Sequence, residues 1–320
     1  MTRTSVGDLG ALVDRARDGD PRAVARLITL VESDHEQLPE LAAALAPATG
    51  TGQVIGLTGS PGVGKSTVTT ELVRALRATG RRVGVLAVDP SSPFTGGAIL
   101  GDRIRMQDHT TDPGVYIRSM SSRGRLGGLA AATPQAVRVL EGAGCEVILV
   151  ETVGVGQAEV EIASLADTTL VLLAPGLGDA IQAAKAGILE VADIFVVNKA
   201  DRAGADATYH DIQGMIGLAD RAPGQWRPPV LRVVATTGSG IDELVAAIGK
   251  HRDWLGSHDQ LRARHRQRAA SEIEAIVLAR LQRRIESVTG LPARAAAVAA
   301  GQQDPYAAAD AILAELGLDP

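Results

Sequence analysis

Residues 53–67 constrain the fold of this chain more than any other stretch. The apolar run QVIGLT is followed at once by GSPGVGKST. A buried strand that enters a glycine-rich turn and then a helix is typical of a loop whose backbone N–H groups surround phosphates. We expect Lys65 to reach the β- and γ-phosphates and the Ser66 hydroxyl to hold Mg²⁺. The expected nucleotide contacts of this loop are Gly59, Gly62, Val63, Gly64, Lys65, Ser66 and Thr67.

Beyond this loop, apolar stretches alternate with helical patterns. The sequence predicts strands near 53–58, 83–88, 146–150, 169–174, 193–197 and 230–235. Such alternation predicts an α/β fold with a mostly parallel sheet covered by helices on both faces. Ligands of sheets of this kind bind beyond the carboxyl ends of the strands, and the motifs of this chain fall at such strand ends.

The two ends of the chain differ from this pattern, so we expect three regions: 1–50, 51–250 and 251–320. Residues 1–50 predict a helical extension, with Asp20 as the N-cap and Pro21 as the first residue of one helix. Residues 251–288 predict a charged helix, followed by a second helix over YAAADAILAEL. This C-terminal arm is expected either to pack on the main domain or to contact another subunit.

Composition limits the class of partner. Aromatic residues are only 2% of the chain and the net charge is −5, which argues against a nucleic-acid surface and an anionic membrane as main partners. The amino end has no signal-peptide core and no run is long enough to span a membrane, so cytoplasm is the expectation. Cys145 is expected to be a buried, unreactive thiol. His251, His258 and His265 recur every seven residues, as on one helical stripe, and structural roles are expected for them.

The stretch FVVNKAD, residues 195–201, favours guanine over adenine. A carboxylate at Asp201 can accept hydrogen bonds from N1–H and the 2-amino group of guanine, a pair of donors that adenine lacks. Asn198 can tie this loop to the phosphate loop, and the stem of Lys199 can lie over the ring. Ala235 and Thr236, after the next strand, are expected to close over the base with backbone groups.

Acidic residues at other strand ends predict the metal site. Glu151 follows the strand EVILV, as a Walker-B acid does, and is expected to support Mg²⁺ or to position water. Asp89 ends an earlier strand and is a second candidate. Asp102 is either a metal ligand or a helix cap or surface acid. Gly154 is expected to offer its N–H to a γ-phosphate. Lys65, Glu151 and Asp102 are the expected catalytic residues.

Val155 stands where Ras-like proteins have a water-orienting glutamine. We therefore expect slow hydrolysis by the chain alone and faster hydrolysis with a partner.

Five segments together resemble one family, the MeaB/ArgK group of GTPases: GSPGVGKST, VDPSSPFTGGAILGDRIRM, ETVGVGQAEVEI, GLGDAIQAAKAGILEVADIFVVNKAD and DPYAAADAILAEL. The resemblance implies a P-loop G domain with an N-terminal helical extension and a C-terminal dimerisation arm. It implies a GTP-binding and GTP-hydrolysing chaperone that gates adenosylcobalamin loading and protects or reactivates methylmalonyl-CoA mutase. The implied partners are that mutase and a second copy of the chain.

The resemblance also assigns residues. The family's metal-shell acids fall on Asp89, Asp102 and Glu151. Its additional switch segment falls on residues 176–185, where Asp179, Gln182 and Lys185 are expected to respond to nucleotide and partner. From the residues alone, Lys185 is equally a solvent-facing charge.

The residues also bear on two other functions. An ATP-dependent kinase or ATPase of arginine/ornithine transport needs tolerance of ATP, which the NKxD segment disfavours. A metal-delivery GTPase usually has a Cys- or His-rich entry site, which Cys145 alone does not supply. The sequence does not distinguish methylmalonyl-CoA mutase from a related acyl-CoA mutase as the partner.

Overall fold

A computed structural model describes most of the chain. The described residues are 8–33, 35–89, 109, 111–121, 132–152, 158–176, 188–218, 222, 224–288 and 290–318. Within these residues the chain divides into two compact units, Met1–Arg268 and Ala269–Pro320.

A seven-stranded sheet is the centre of the first unit, and all of its strand pairs are parallel. Its strand order is β3-β2-β4-β1-β5-β6-β7. The strands are β1 Gln53–Thr58, β2 Val83–Asp89, β3 Val115–Ser121, β4 Val147–Thr152, β5 Thr168–Leu173, β6 Ile194–Asn198 and β7 Val230–Val233. Every residue of β1, β4, β5 and β6 is buried, as expected for parallel strands covered on both faces. The predicted α/β fold with a mostly parallel sheet is confirmed.

Twelve α-helices are present among the described residues. They are α1 Leu9–Arg17, α2 Pro21–Glu32, α3 Leu38–Leu45, α4 Lys65–Ala78, α5 Thr133–Gly142, α6 Ala158–Leu165, α7 Ile188–Val191, α8 Ala205–Leu218, α9 Ile241–Ser257, α10 Gln260–Glu286, α11 Leu291–Ala299 and α12 Pro305–Glu315.

Helices cover both faces of the sheet because its apolar residues alternate between the two. Ile55 and Leu57 of β1 belong to the core that contains residues of α4 and α9. Val54 belongs to the opposite core, which α1–α3, α5 and α6 help to fill. A third core joins β5 and β6 to α8. Helices therefore pack on both faces of the sheet, and its carboxyl edge is left to the loops.

The N-terminal helices are fixed on the sheet by a cap and an ion pair. Asp20 caps α2, accepting hydrogen bonds from the N–H groups of Arg22 (2.8 Å) and Ala23 (3.4 Å), as its position before Pro21 predicts. Glu32, at the end of α2, pairs with Arg118 of β3.

Two expectations differ from the structure. Strand β3 was not predicted; it pairs with β2 at the edge of the sheet, and Arg118 interrupts its apolar pattern. The histidines do not share one helix, because Asp259, with a φ of +55°, separates α9 from α10. His251 lies on α9, His258 caps its end and His265 lies on α10.

The first turns of α10 are anchored at the amino ends of β5 and β6. Arg264 donates two hydrogen bonds to the buried Asp193, at 2.7 and 2.8 Å. Arg268 and His265 contact the buried Asp167. His251 is fully buried, with Nδ1 2.9 Å from Thr168 Oγ1 and Nε2 3.3 Å from Asp193 Oδ1. The structural roles expected for His251 and His265 are therefore observed.

The second unit contains the rest of α10 with α11 and α12. Asp304 caps α12 through the N–H groups of Tyr306 (3.0 Å) and Ala307 (2.9 Å). Arg284 of α10 donates to the carbonyl oxygen of Leu316, which ties the end of α12 to α10. In the part of the chain that the structure describes, no helix has the length and apolar character needed to cross a membrane.

Candidate nucleotide-binding site

The loop between β1 and α4 has a backbone that only glycine fits at two points. Gly59 has a φ of +140°, and a Cβ there would lie 2.2 Å from the carbonyl oxygen of Leu172 in β5. Gly64 has a φ of +95° and caps α4, and a Cβ there would lie 2.4 Å from Asn198 Nδ2. The loop therefore lies close against both β5 and the last residue of β6.

Lys65 is the first residue of α4 and folds back over this loop. Its Nζ donates to the carbonyl oxygens of Gly59 (2.6 Å) and Ser60 (3.1 Å), and the side chain is buried. A cation at the amino end of a helix adds to the positive end of the helix dipole. This arrangement favours an anion at the turn, as the sequence predicts.

Glu151 lies beside α4 at the carboxyl end of β4, opposite Leu57 of β1 in the strand register. The residue is only 4% exposed. Its Oε1 accepts a 2.7 Å hydrogen bond from Ser66 Oγ, and its Oε2 accepts a 3.0 Å hydrogen bond from Thr69 Oγ1. The structure thus brings together two of the predicted metal residues, a hydroxyl and a carboxylate. Thr69 was missed, although its position three residues after Ser66 places it on the same face of the helix.

Asn198, the last residue of β6, connects three loops. Its Nδ2 donates to the carbonyl oxygen of Val63 (2.8 Å), and its Oδ1 accepts from the N–H of Ala235 (3.2 Å). The expectation that Asn198 ties its loop to the phosphate loop is confirmed by the first bond. Lys199 adds a second tie, donating from Nζ to the carbonyl oxygen of Gly62 at 2.6 Å.

Lys199 has a φ of +56°, so the chain turns sharply directly after β6. Asp201 follows in this turn and is exposed. Thr236 lies exposed in the turn after β7, beside the buried Ala235. Asn198 bonds to Val63 on one side and to Ala235 on the other, and Asp201 follows it by three residues. The loops that carry these residues therefore meet at one edge of the sheet.

Several predicted residues lie outside the described part of the chain, namely Asp102, Gly154, Asp179, Gln182 and Lys185. For Asp89 the backbone alone is described, as the last residue of β2, paired with Ser121. Among the described residues, no cluster of three or more His, Cys, Asp or Glu side chains suits a metal ion. Cys145 is buried, and burial raises the pKa of its thiol to about 12, as befits the unreactive residue that the sequence predicts.

The model of one family, the methylmalonyl-CoA mutase-associated GTPase MeaB, matches residues 24–289. The chain belongs to the MeaB family. It is therefore a GTP hydrolase, and the resemblance found in the sequence is confirmed.

Relatives of this MeaB-family GTPase cover most of its length. A predicted GTPase of Pyrococcus abyssi is 50% identical over 311 residues, which are 95% of this chain and 96% of the relative. The GTPase ArgK of Escherichia coli is 39% identical over 247 residues, 75% of each chain. The mouse mitochondrial methylmalonic aciduria type A homolog is 39% identical over 243 residues, 71% of this chain and 59% of the relative.

A solved structure shares the whole fold of this MeaB-family chain. The crystal structure of a LAO/AO transport system kinase matches with a TM-score of 0.71 and 26% identity, over 99% of each chain. The match covers the helical extensions as well as the sheet, which confirms the predicted fold class.

Proposed function

We propose that the carboxyl edge of the sheet binds GTP and GDP through the phosphate loop and the loops after β6 and β7. Lys65 neutralises the terminal phosphates, and Asp201 accepts the N1–H and 2-amino donors of guanine. Asn198 supports this proposal most directly, because it holds Val63 and Ala235 in fixed positions on either side of the loop that carries Asp201. The proposed nucleotide contacts are Gly59, Gly62, Val63, Gly64, Lys65, Ser66, Thr67, Asn198, Lys199, Asp201, Ala235 and Thr236.

Mg²⁺ is the proposed metal of this site. The Ser66 hydroxyl and the Glu151 carboxylate are hard oxygen donors, buried and 2.7 Å apart, and so fit the preference of Mg²⁺ for oxygen. These two residues would hold the ion directly or through water, with Asp89 and Asp102 completing the proposed set. When bound, Mg²⁺ offsets the charge that develops on the phosphates.

The proposed role of GTP hydrolysis is to gate adenosylcobalamin loading and to protect or reactivate an acyl-CoA mutase, with methylmalonyl-CoA mutase as the first candidate. The match to the family model over residues 24–289 carries this proposal, and the name of the mouse relative supports it. Gly154, Asp179, Gln182 and Lys185 are proposed to respond to the γ-phosphate and to the partner. Because Val155 stands where a water-orienting glutamine is usual, hydrolysis is proposed to be slow in the chain alone and faster with the mutase.

We further propose that two copies associate through the second unit. Ile273, Val277 and Leu278 on α10 are 63%, 48% and 52% exposed, and Ile285 continues the row at helical spacing. Exposed large apolar residues at this spacing on a 27-residue helix are typical of a helix face that packs on another chain.

Sedimentation velocity tests this association. The wild-type chain should sediment at twice its 33.1 kDa mass, and the double variant Ile273→Asp, Val277→Asp should sediment as a monomer. Glu286→Lys, an exposed charge change on the same helix that replaces none of these apolar residues, is the control and should remain dimeric. A wild-type monomer at micromolar concentration would contradict the dimer.

Co-purification with candidate mutases tests the main proposal. The purified chain is mixed separately with methylmalonyl-CoA mutase and isobutyryl-CoA mutase, with GDP or a non-hydrolysable GTP analogue present. We expect one mutase to bind, to raise the GTP hydrolysis rate and to take up adenosylcobalamin in a GTP-dependent manner. Lys65→Ala should abolish hydrolysis, whereas Lys250→Ala, an exposed lysine on α9, should not.

Two results would contradict the proposal. The first is that neither mutase binds the chain or changes its GTP hydrolysis rate in any nucleotide state. The second is that GTP hydrolysis is already fast without a partner. A competition experiment distinguishes the transport-kinase alternative from the GTPase proposal. Effective displacement of bound guanine nucleotide by ATP would favour the kinase.

A further inference from the structure

Thr69 lies one helical turn after Ser66 on α4 and is fully buried. Its hydroxyl lies 3.0 Å from Glu151 Oε2 and 3.1 Å from the carbonyl oxygen of Lys65. The two carboxylate oxygens of Glu151 are therefore bonded by two different hydroxyl groups on one face of one helix, Ser66 to Oε1 and Thr69 to Oε2.

Glutamate at the end of β4 has one more side-chain torsion than the aspartate that is usual in Walker-B positions. Each additional torsion adds rotamers that must be excluded before the carboxylate is in a fixed position. A single bond to Ser66 holds one oxygen, and coupled changes of the side-chain torsions can still swing the other oxygen about it. The second bond, from Thr69, fixes the other oxygen and so the plane of the carboxylate.

We infer that Thr69 is a positioning residue that fixes Glu151 for its work at the Mg²⁺ site. This inference rests on the proposed role of Glu151 in holding Mg²⁺. Partners that orient metal-associated carboxylates commonly change metal affinity about 10- to 100-fold when they are removed. The Thr69 hydroxyl also contacts the carbonyl oxygen of Lys65 at 3.1 Å, and its proposed effect on the metal passes through Glu151.

A purely structural role for Thr69 can be distinguished from a role in positioning Glu151, because the neighbouring Thr70 provides a matched control. Thr70 is also buried on α4, and its hydroxyl donates to the carbonyl oxygen of Ser66 at 2.9 Å. This repeats the backbone bond of Thr69 without a bond to Glu151. Thr70→Val therefore removes a buried hydroxyl and a backbone bond of the same kind, and leaves the carboxylate untouched.

The experiment measures Mn²⁺ binding to the GDP-bound full chain by electron paramagnetic resonance, beside the Mg²⁺ dependence of GDP release. The variants are Thr69→Val, Thr69→Ala, Thr69→Ser, Thr70→Val and Glu151→Gln. We expect Thr69→Val and Thr69→Ala to weaken Mn²⁺ binding about 10-fold or more. Thr69→Ser retains the hydroxyl and should bind Mn²⁺ as wild type does, and so should Thr70→Val.

The outcomes separate the inference from the proposal on which it rests. If Glu151→Gln weakens Mn²⁺ binding but Thr69→Val and Thr69→Ala behave like Thr70→Val, Thr69 is not a positioning residue. If Glu151→Gln itself leaves Mn²⁺ binding and GDP release unchanged, the proposed role of Glu151 is wrong and the inference falls with it. Failure of Thr69→Ser to restore binding would also overturn the inference, since the hydroxyl would not be the cause.

Discussion

Asn198 Nδ2 donates a 2.8 Å hydrogen bond to the carbonyl oxygen of Val63, a residue 135 positions earlier in the chain. The same amide accepts from the N–H of Ala235. One buried side chain therefore joins the phosphate loop to the loops that follow β6 and β7. The relative position of these loops depends on this amide.

Replacement of Asn198 should separate the loops. Asn198→Ala leaves the buried carbonyl of Val63 and the N–H of Ala235 without their partner, so the free energy of unfolding should fall by about 2 kcal/mol or more. GDP affinity should fall with it. Urea denaturation and fluorescent GDP titration measure both, with Thr208→Ala, a half-buried residue in the first turn of α8 away from these loops' hydrogen bonds, as the control. Values equal to those of the control would show that the three loops do not depend on Asn198.

Two glycines of the phosphate loop allow strain and close contact to be separated. Gly62 has a φ of +84°, and an added Cβ would have nothing within 4 Å. Gly62→Ala should therefore lower the free energy of unfolding only by the strain of a left-handed alanine, roughly 1–2 kcal/mol. Ala at Gly64 carries similar strain and also places a Cβ 2.4 Å from Asn198 Nδ2. We expect Gly64→Ala to lower both stability and GDP affinity more than Gly62→Ala does. Equal losses in urea denaturation would show that the loops are not in this contact.

Acid should weaken the anchor of α10. Burial raises the pKa of Asp167, but the hydrogen bond from His265, the charge of Arg268 and the N–H of Val54 outweigh it and hold the pKa below its ordinary value. Asp193 shows the same net lowering, with burial opposed chiefly by Arg264 and then by His251.

A carboxyl whose pKa is lower in the folded state stabilises the fold above its unfolded value, about 3.9, and loses that contribution as pH falls through the folded value. The free energy of unfolding should therefore drop as pH falls below about 4. Asp167→Asn should be less stable at pH 7 and should show a shallower drop. Asp14→Asn, an exposed acid, should follow wild type. If the free energy of unfolding of Asp167→Asn falls with pH as steeply as that of wild type, this explanation is wrong.

Cys145 should be inert in the folded chain. Its thiol is buried and its pKa is raised to about 12, so almost no thiolate is present at neutral pH. A thiol reagent such as 5,5′-dithiobis(2-nitrobenzoate) should react only as fast as the chain unfolds, and the rate should rise sharply across the urea transition. Rapid labelling of native protein at pH 8 would contradict its burial.

The sequence predicted those features that local chemistry determines. Gly59, Gly64 and Lys65 lie within seven residues, and their identities alone indicate the turn and the helix. The strand β3 was missed because Arg118 interrupts its apolar pattern. The arginine is accommodated in the strand by its ion pair with Glu32 of α2, which the sequence does not reveal. The spacing of Thr69 from Ser66 indicates a shared helix face, but its bond to Glu151 depends on how β4 lies beside α4. The anchor formed by Asp167 and Asp193 could not be predicted, since its partners become neighbours only when the strands take their order in the sheet.

The most direct test of the account is whether Asp201 reads guanine at the site formed by the phosphate loop. Dissociation constants for GDP and XDP are measured for wild type, for Asp201→Asn and for Asp206→Asn, an exposed acid close by. Wild type and Asp206→Asn should prefer GDP. Asp201→Asn should lose about 100-fold in GDP affinity, through two lost bonds to a charged acceptor, and should gain affinity for XDP. An unchanged preference for GDP over XDP in Asp201→Asn would contradict the central claim.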